Sequence, residues 1–300
     1  MKYRHSFHAG NFADVHKHVT LLALISALQR KDKGFLYFET HAGRGLYDLG
    51  GTESQQGAEA RHGIKALRAV PHASPEINAY LEAIVRAAGS GAQLYPGSPL
   101  LAAQALREQD RAVCCEILPP ECRALERALH DYPRVRCLCA DGYATLSAHL
   151  PPAERRALVL IDPPYEEPSA ELERGLSAVM AILARLPNAI IALWYPIKDA
   201  RDLAPWLARV ATQLAAPGAH ALAGNTPTLN AQLWLHPCDS RVALNGSGLL
   251  LINPPFQFDL QLQRWLPELA AALGIAFEVE GGSDARQHSG AALNWLVHEH

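Results

Sequence analysis

Runs of apolar residues alternate along this chain with segments in which apolar residues recur at helical spacing. The apolar runs predict strands at residues 35–40, 112–116, 136–140, 157–161, 189–194, 232–235 and 249–252. The periodic segments predict helices at residues 11–31, with Asn11 as N-cap, at 122–130 and 172–186, and from Pro99 onward, with Ser98 as N-cap. Apolar strands separated by helices indicate a mostly parallel sheet covered on both faces. We therefore expect an α/β fold.

One segment interrupts this alternation. Between residues 47 and 94 no apolar run predicts a strand, whereas residues 58–70 and 75–88 have helical patterns. Glycines flank the segment at Gly50 and Gly51 and again at Gly89 and Gly91. We predict a small helical subdomain at residues 47–94, inserted into a main domain that is formed by residues 1–46 and 95–300.

Composition narrows the classes of function. The chain has 300 residues, of which 49% are hydrophobic and 19% charged, as is typical of a globular protein. Its net charge of −3 excludes a general polycation, so contacts with nucleic acid must be local. The apolar runs are far shorter than the ~20 residues that span a bilayer. Six cysteines without a CxxC pair indicate reduced thiols rather than zinc ligands. We expect a cytoplasmic, monomeric protein that contacts no membrane.

Polar and glycine residues follow several predicted strands. Gly43 and Gly45 come after the first strand, where glycine lets the backbone approach a ligand. Asp48 stands where the dinucleotide fingerprint needs a small residue, which argues against NAD or FAD. Glu116 closes the second strand and Asp141-Gly142 the third, positions from which carboxylates could bind ribose hydroxyls and an adenine amine. Each of these features alone is also explained by an ordinary turn.

The sequence Asp162-Pro163-Pro164-Tyr165 directly follows the fourth predicted strand. Because prolines cannot donate hydrogen bonds to a sheet, the strand must end here in a stiff loop. Such a loop presents the Asp162 carboxylate, the Pro163 carbonyl and the Tyr165 ring. Two acceptors and an aromatic face are suited to gripping a base that has been flipped out of its stack. We predict that these three residues form the catalytic corner.

The order of these motifs resembles that of class I S-adenosylmethionine-dependent methyltransferases acting on adenine amino groups. Residues 3–11, 14–18, 40–43, 95–99 and 193–196 are similar to the narrower family of bacterial 23S ribosomal RNA adenine-N6 methyltransferases. The resemblance covers nearly the whole chain and is looser in the inserted segment and after Asp199. The chain departs from the family pattern at Phe12, where histidine is expected, and at His16, where an apolar residue is expected.

This resemblance implies a Rossmann-like methyltransferase domain with a helical insertion, S-adenosylmethionine as cofactor, and 23S rRNA as partner, with N6 of adenine 2030 as the target. The residues that it implies around the cofactor are His18, His41, Gly43, Ser98, Glu116, Asp141, Gly142 and Asp162. It also implies that the N-terminal tail, residues 1–10, reaches the substrate side with Tyr3 and His5, together with Lys17. There Tyr165 would stack on the flipped base.

Other interpretations of the N-terminal segment compete with an RNA contact. His16 and His18 lie about 200° apart on a helix, so they cannot chelate one ion together, and we expect no metal. Lys2, Arg4 and Lys17 form a cationic segment that could contact phosphates, although a solvated tail explains it too.

The function and the catalytic loop also have alternatives. Residues 253–256 repeat the loop pattern as Asn-Pro-Pro-Phe, but they follow the last predicted strand rather than the fourth. Trp194 could line the base pocket or pack in the core. The rival activities are methylation of DNA adenine or of protein glutamine, and the rival of another class is a non-catalytic RNA-binding protein.

Overall fold

The computed structural model describes residues 9–50, 59–89, 93–216, 225–236, 244–281 and 290–298, the side chains of Glu59, Arg61, Ala200 and residues 275–281 excepted. Apolar runs form most of its strands. The strands are β1 Leu36–Glu39, β2 Leu46–Asp48, β3 Leu94–Pro96, β4 Arg111–Cys115, β5 Val135–Leu138, β6 Ala157–Ile161, β7 Ile190–Ile197, β8 Thr228–Trp234, β9 Gly246–Ile252 and β10 Gly290–Val297. All seven predicted strands are therefore present, with ends shifted by a few residues.

Eight of these strands form one sheet in the order β10-β8-β9-β7-β6-β1-β4-β5. The pairs β6–β7, β1–β6, β1–β4 and β4–β5 are parallel. Strand β9 runs antiparallel to both β7 and β8, and β10 runs antiparallel to β8. The predicted Rossmann-like α/β fold is confirmed. The carboxyl ends of β1, β4, β5, β6 and β7 consequently meet at one edge of the sheet, and the end of β9 lies at the opposite edge.

Helices cover both faces of this sheet, as predicted. They are α1 Phe12–Gln29, α2 Ile64–Arg68, α3 Pro75–Ala88, α4 Ser98–Ala105, α5 Pro119–Ala128, α6 Gly142–His149, α7 Pro168–Arg185, α8 Ala200–Ala215 and α9 Phe258–Gly281. Asn11 caps α1 by accepting a hydrogen bond from the Asp14 amide, as predicted. The predicted cap of α4 is wrong: Gly97 is the N-cap and Ser98 is the first helical residue. None of the described helices is long and apolar enough to cross a membrane.

Two apolar clusters fill the space between the sheet and its helices. Helix α1 packs on one face through Val15, Val19 and Leu24, together with Trp265 of α9. Helices α7 and α8 pack on the other face. This arrangement holds α1 against the sheet beside the edge at which the parallel strands end.

The inserted segment differs in part from its prediction. It holds the two predicted helical regions, as a 3₁₀ turn at Glu59–His62 followed by α2, and as α3. It also begins and ends in the short antiparallel pair β2–β3, where no strand was expected. Ile64 and Tyr80 pack in the same cluster as α1, so the inserted helices support that helix. The division into two domains stays a prediction.

Candidate active site

The loop after β1 is shaped by two glycines. Gly43 has φ of 61° and Gly45 has φ of 79°, a left-handed conformation that side chains with a Cβ rarely adopt. The Gly43 amide donates a 2.9 Å hydrogen bond to Glu116 Oε2 at the end of the neighbouring strand β4. The glycine motif is therefore a turn whose backbone is hydrogen-bonded to Glu116, the residue that follows β4.

Glu116 is held rigidly from both sides. Its Oε1 atom accepts a 2.8 Å hydrogen bond from the Leu118 amide, while Oε2 accepts the bond from Gly43. Burial raises the pKa of this carboxyl, and the hydrogen bonds from the two backbone amides act in the opposite direction. Each oxygen keeps a further lone pair, which is what a pair of ribose hydroxyls requires. The adjacent Ile117 and Leu118 are exposed apolar side chains, a feature that the sequence analysis missed.

Asp141 and Gly142 lie at the end of β5, beside the glycine loop. The Asp141 side chain caps α6 by accepting a 2.9 Å hydrogen bond from the Tyr143 amide. Gly142 packs so closely on Thr40 that an added Cβ would lie 2.1 Å from the Thr40 carbonyl oxygen. Glycine is therefore required at this contact, and it brings the ends of β1 and β5 together.

Asp162 is joined to α1 by an ion pair. Lys17 Nζ donates to Asp162 Oδ2, and it also donates to Asp14 Oδ1 at 2.9 Å. The Lys17 side chain is 5% exposed and that of Asp162 is 15% exposed. Burial opposes the ammonium charge, but the two carboxylates outweigh it and raise the pKa of Lys17 well above its usual value. Asp162 is thus held by a permanent cation within the fold.

This position of Lys17 corrects the sequence analysis. Lys17 was counted among the exposed cations that could contact phosphates, yet its charge is balanced by Asp14 and Asp162 inside the protein. Its predicted partners Tyr3 and His5 lie outside the described residues. Lys17 remains next to the catalytic corner, because it contacts Asp162 directly.

A buried acid that sequence reasoning left without a role lies beneath this corner. Glu39, the last residue of β1, accepts hydrogen bonds from Ser98 Oγ and, at 2.9 Å, from Tyr37 Oη. Burial raises the pKa of Glu39 to about 7, although both hydrogen bonds lower it. Ser98, predicted to bind the cofactor, uses its hydroxyl for this contact. The signal that could have identified Glu39 was its charge at the end of an otherwise apolar strand.

The two histidines predicted at the site differ in their surroundings. His18 is buried, and its Nδ1 atom lies 2.8 Å from Tyr95 Oη, behind the Asp14–Lys17 pair. His41 borders the place where the carboxyl ends of β1, β4, β5 and β6 meet, which we call the cleft, and its ring is edge-on to Tyr143 at 4.9 Å between centroids. Burial lowers the pKa of His41 to about 4, although Asp162 and Asp141 act in the opposite direction, so its ring is neutral near pH 7. Their roles as cofactor ligands stay predictions.

The proline loop is fixed at its tyrosine. Tyr165 Oη donates a 2.6 Å hydrogen bond to the Trp194 carbonyl, and the two rings meet edge to face at 5.4 Å. Pro163 is buried, and no donor of the described residues reaches its carbonyl oxygen. Tyr165 is half-buried and packs against the cluster on the α7 face. The loop therefore keeps its acceptors in place without using all of them.

The second Asn-Pro-Pro motif lies elsewhere. Asn253 Nδ2 donates to the carbonyls of Pro187 and Ala189, just before the start of β7, at 2.8 and 2.9 Å. Because β9 is antiparallel to β7, its end is at the edge opposite Asp162. Asn253 therefore closes a turn and does not face the cleft.

A metal site is a separate question. Among the described residues, no group of three or more His, Cys, Asp or Glu side chains could hold a metal ion.

Taken together, these residues suit a nucleoside with a methionine-like tail. The glycine loop lets the backbone approach a ligand closely, and the rigid Glu116 carboxylate has two oxygens that can accept hydrogen bonds. The exposed apolar side chains of Ile117 and Leu118 flank this carboxylate. Gly43, Glu116, Asp141, Gly142 and Asp162 meet at this one edge, as the sequence predicts from their places after parallel strands. The geometry fits the cofactor that the resemblance implies.

Comparisons with known proteins agree with this geometry. A family model described as "Ribosomal RNA large subunit methyltransferase D, RlmJ" matches residues 32–285. The chain is 36% identical over 300 residues to Ribosomal RNA large subunit methyltransferase J of Escherichia coli (strain K12), covering 100% of both chains. It is 36% identical over 275 residues to the protein of that name from Haemophilus influenzae, covering 91% of this chain and 94% of the other.

A solved structure is similar over the same extent. The crystal structure of protein LPL1258 from Legionella pneumophila matches with a TM-score of 0.80 and 30% sequence identity. The match covers 96% of this chain and 98% of that chain. The similarity of fold thus spans nearly the whole chain.

Proposed function

The chain belongs to the ribosomal RNA large subunit methyltransferase J family, and from this premise we propose that it methylates N6 of one adenine in 23S rRNA, adenine 2030. The methyl donor is S-adenosylmethionine, which supplies an electrophilic methyl group on a sulfonium. The observation that carries the proposal is the Asp162–Pro163 corner, which is held by Lys17 at the edge where the cofactor-type motifs meet. An rRNA substrate is consistent with the predicted cytoplasmic location.

The residues of the glycine loop and the acidic strand ends bind the donor in this proposal. Glu116 accepts hydrogen bonds from the ribose hydroxyls with the lone pairs that Gly43 and Leu118 leave available. Asp141 keeps its Oδ1 atom on the cap of α6, and its Oδ2 atom, which lies 3.7 Å from Arg174 Nη2, also accepts a hydrogen bond from the adenine amine of the donor. His41, neutral and edge-on to Tyr143, lines the same cleft.

Asp162 activates the target amine. An adenine amine is a poor nucleophile because its lone pair is delocalised into the ring. A hydrogen bond from N6–H to Asp162 Oδ1 and another to the Pro163 carbonyl would localise that lone pair and direct it at the methyl group. Alignment of this kind supplies much of the catalysis in a single displacement. The carboxylate also stabilises the positive charge that the nitrogen gains.

Lys17 keeps Asp162 ready for this task. It holds Oδ2, so that Oδ1 is the atom left for the amine. When the N–CH₃ bond has formed and the S–CH₃ bond has broken, the nitrogen carries one proton too many. Asp162 accepts that proton and passes it to water, which returns the site to its starting state.

Tyr165 supplies the stacking face for the flipped base. Its hydroxyl is fixed on the Trp194 carbonyl, so the ring keeps its place beside Asp162 in this proposal. A pre-positioned ring loses little conformational freedom when it stacks on a base. The N-terminal residues Tyr3 and His5 are proposed to reach the same base from the other side.

A transfer assay with labelled S-adenosylmethionine tests this function. The purified protein is incubated separately with protein-free 23S rRNA, duplex DNA and release-factor protein, and labelled nucleosides are identified by mass spectrometry. We expect N6-methyladenosine in the rRNA at one position. Label in DNA or in protein glutamine would instead support a rival enzyme, and binding of rRNA without label would support a non-catalytic RNA-binding protein.

A further inference from the structure

A hydrogen-bonded chain connects α1 to the wall of the candidate site. Trp194 Nε1 donates a 2.8 Å hydrogen bond to Ser247 Oγ on β9, and the same oxygen lies 3.0 Å from His16 Nδ1 on α1. An indole nitrogen can only donate, so the Ser247 oxygen is the acceptor of that bond. His16 Nδ1 is the second polar atom in contact with this hydroxyl. His16 and Ser247 are both fully buried, so water does not compete for either bond.

Trp194 lies beside the residues that are proposed to hold the flipped base. Leu193 pairs with Ile161, so the next residues of the two strands, Trp194 and Asp162, lie side by side. The indole packs against the cluster on the α1 face, the face from which Lys17 reaches Asp162. It is half-buried and meets the Tyr165 ring. Trp194 is therefore the neighbour of both Asp162 and Tyr165.

We propose that His16 and Ser247 are positioning residues that hold the Trp194 indole as one wall of the adenine pocket, an inference that rests on the proposed function. We call the three side chains the Trp194 relay. The neighbour of His16 on α1 is Lys17, which holds Asp162. One helix thus fixes both the catalytic carboxylate and the wall beside it. Burial keeps the His16 ring neutral by lowering its pKa to about 3, although a hydrogen bond with the Ser247 backbone raises it.

Kinetics of the Ser247→Ala and His16→Leu variants test the relay. A wall that is free to shift misaligns the base, so we expect kcat on 23S rRNA to fall about tenfold in each variant. The Kd for S-adenosylmethionine, whose proposed contacts are elsewhere, stays within about twofold. His16→Asn keeps a polar atom near the position of Nδ1 and should recover most of the lost turnover.

The control is Thr228→Val on the neighbouring strand β8. Thr228 is buried, and its hydroxyl donates a 3.0 Å hydrogen bond to the Thr226 carbonyl. This variant loses a buried hydroxyl of the same sheet without touching the relay. We expect a fall in Tm similar to that of Ser247→Ala with kcat unchanged. A loss of kcat in Ser247→Ala no larger than in Thr228→Val overturns the proposal.

A double-mutant cycle adds a second criterion. Trp194→Phe removes the indole donor, so Ser247→Ala should lower kcat less than twofold further in that background. If the two substitutions instead reduce kcat by independent factors that multiply, the serine does not act through the indole and the relay is refuted.

The indole signals of ¹⁵N-labelled protein report on the relay without any substrate. The chain has five tryptophans, and the signal of Trp194 is assigned by its loss in Trp194→Phe. We expect this signal to move in Ser247→Ala and in His16→Leu but not in Thr228→Val. If wild-type protein leaves rRNA unlabelled, the proposed function fails and the indole signal alone decides the relay. An unmoved signal in Ser247→Ala overturns the relay whatever the activity.

Discussion

Lys17 is the residue that holds Asp162 in the proposed mechanism. Its ammonium lies between two carboxylates, Asp14 and Asp162, with almost no access to water. A buried ion pair contributes little net stability, yet loss of one partner leaves an unpaired buried charge. The family resemblance implied that Lys17 is close to the site, but the sequence could not show this pairing, because Asp162 is 145 residues away along the chain.

Replacement of Lys17 by Met should therefore impair both folding and activity. The variant brings two carboxylates together without their cation, and we expect the free energy of unfolding to fall by about 3–5 kcal/mol. Urea unfolding measures this change, and labelled transfer to rRNA should be abolished. Lys65→Met, which removes an exposed lysine of α2, is the control. Normal stability of Lys17→Met would contradict the paired arrangement.

Asp162→Asn separates shape from charge. The amide retains the size of the carboxylate but loses its negative charge, so the developing charge on the amine is no longer stabilised. We expect kcat to fall about a hundredfold or more, with a smaller change in the Kd for S-adenosylmethionine. Steady-state kinetics and calorimetric titration measure the two effects. Asp32→Asn, an exposed position in the loop before β1, should leave both unchanged, and unaltered turnover in Asp162→Asn would reject the proposed mechanism.

His16 gives the protein a specific response to acid. Burial lowers the pKa of His16 to about 3 in the folded state, compared with an ordinary value of 6.5. The unfolded chain therefore binds the extra proton first, and the stability that the neutral ring contributes above pH 6.5 is lost as the pH falls toward 3.

His16→Leu should flatten this part of the stability curve. The slope of the unfolding free energy against pH, measured by urea titration between pH 4 and 6.5, should decrease by up to about 1.4 kcal/mol per pH unit. Thr228→Val, which removes no titratable group, should keep the wild-type slope. Equal slopes for wild type and His16→Leu would show that the ring titrates normally.

Among the elements, the central strands could be predicted from sequence and the marginal ones could not. Strand β6 was located residue for residue, because it is buried on both faces and is apolar throughout. Strand β10 was not predicted, because half-buried positions at the edge of a sheet leave no clear pattern of apolar residues in the sequence. The pair β2–β3 has three residues per strand, too few to show any period.

The prediction of Ser98 as the N-cap of α4 was wrong for a different reason. Ser98 has the side chain of a good N-cap, but its hydroxyl contacts Glu39, a residue of another element. Tertiary contacts thus override a local preference. The same limit applies to the site: strand order places Glu116, Asp141 and Asp162 at one edge, whereas the partners of Glu39 are visible only in three dimensions.

The contact between the start of α6 and the loop after β1 is predicted to control cofactor binding. In Gly142→Ala the new methyl group would overlap the Thr40 backbone, so α6 must move away from β1. We expect the Kd for S-adenosylmethionine to rise about tenfold, since one wall of its cleft is displaced. Calorimetric titration measures the change. Ser147→Ala, an exposed position on the same helix, should bind normally, and an unchanged Kd in Gly142→Ala would separate this contact from the cofactor.

At the scale of the whole molecule, the two edges of the sheet have different tasks. Arg107 and Arg156 donate hydrogen bonds to carbonyls at the end of α1, including those of Gln29 and Leu28. These contacts stabilise the far end of the helix that carries His16 and Lys17. The edge opposite the cleft thus supports the residues that act at the cleft.

Asn253→Ala tests this division of tasks. Asn253 has φ of 51° and makes two hydrogen bonds to the segment before β7, so alanine removes both bonds in a conformation that it tolerates poorly. We expect a lower Tm with kcat on rRNA unchanged, measured at a temperature where the variant is folded. Asp162→Asn should show the reverse. A loss of turnover in folded Asn253→Ala would contradict the assignment.

The direction of a strand therefore determines whether a short motif at its end lies at the candidate active site. An Asn-Pro-Pro-Phe tetrapeptide and an Asp-Pro-Pro-Tyr tetrapeptide both terminate strands of one sheet, but the first ends a strand that runs backwards. A motif search that ignores the direction of the strands would find two candidate active sites in this chain. Placing the Asp-Pro-Pro-Tyr sequence at the end of β9 should therefore produce no second active site, because the residues that are proposed to bind the methyl donor lie only at the opposite edge of the sheet.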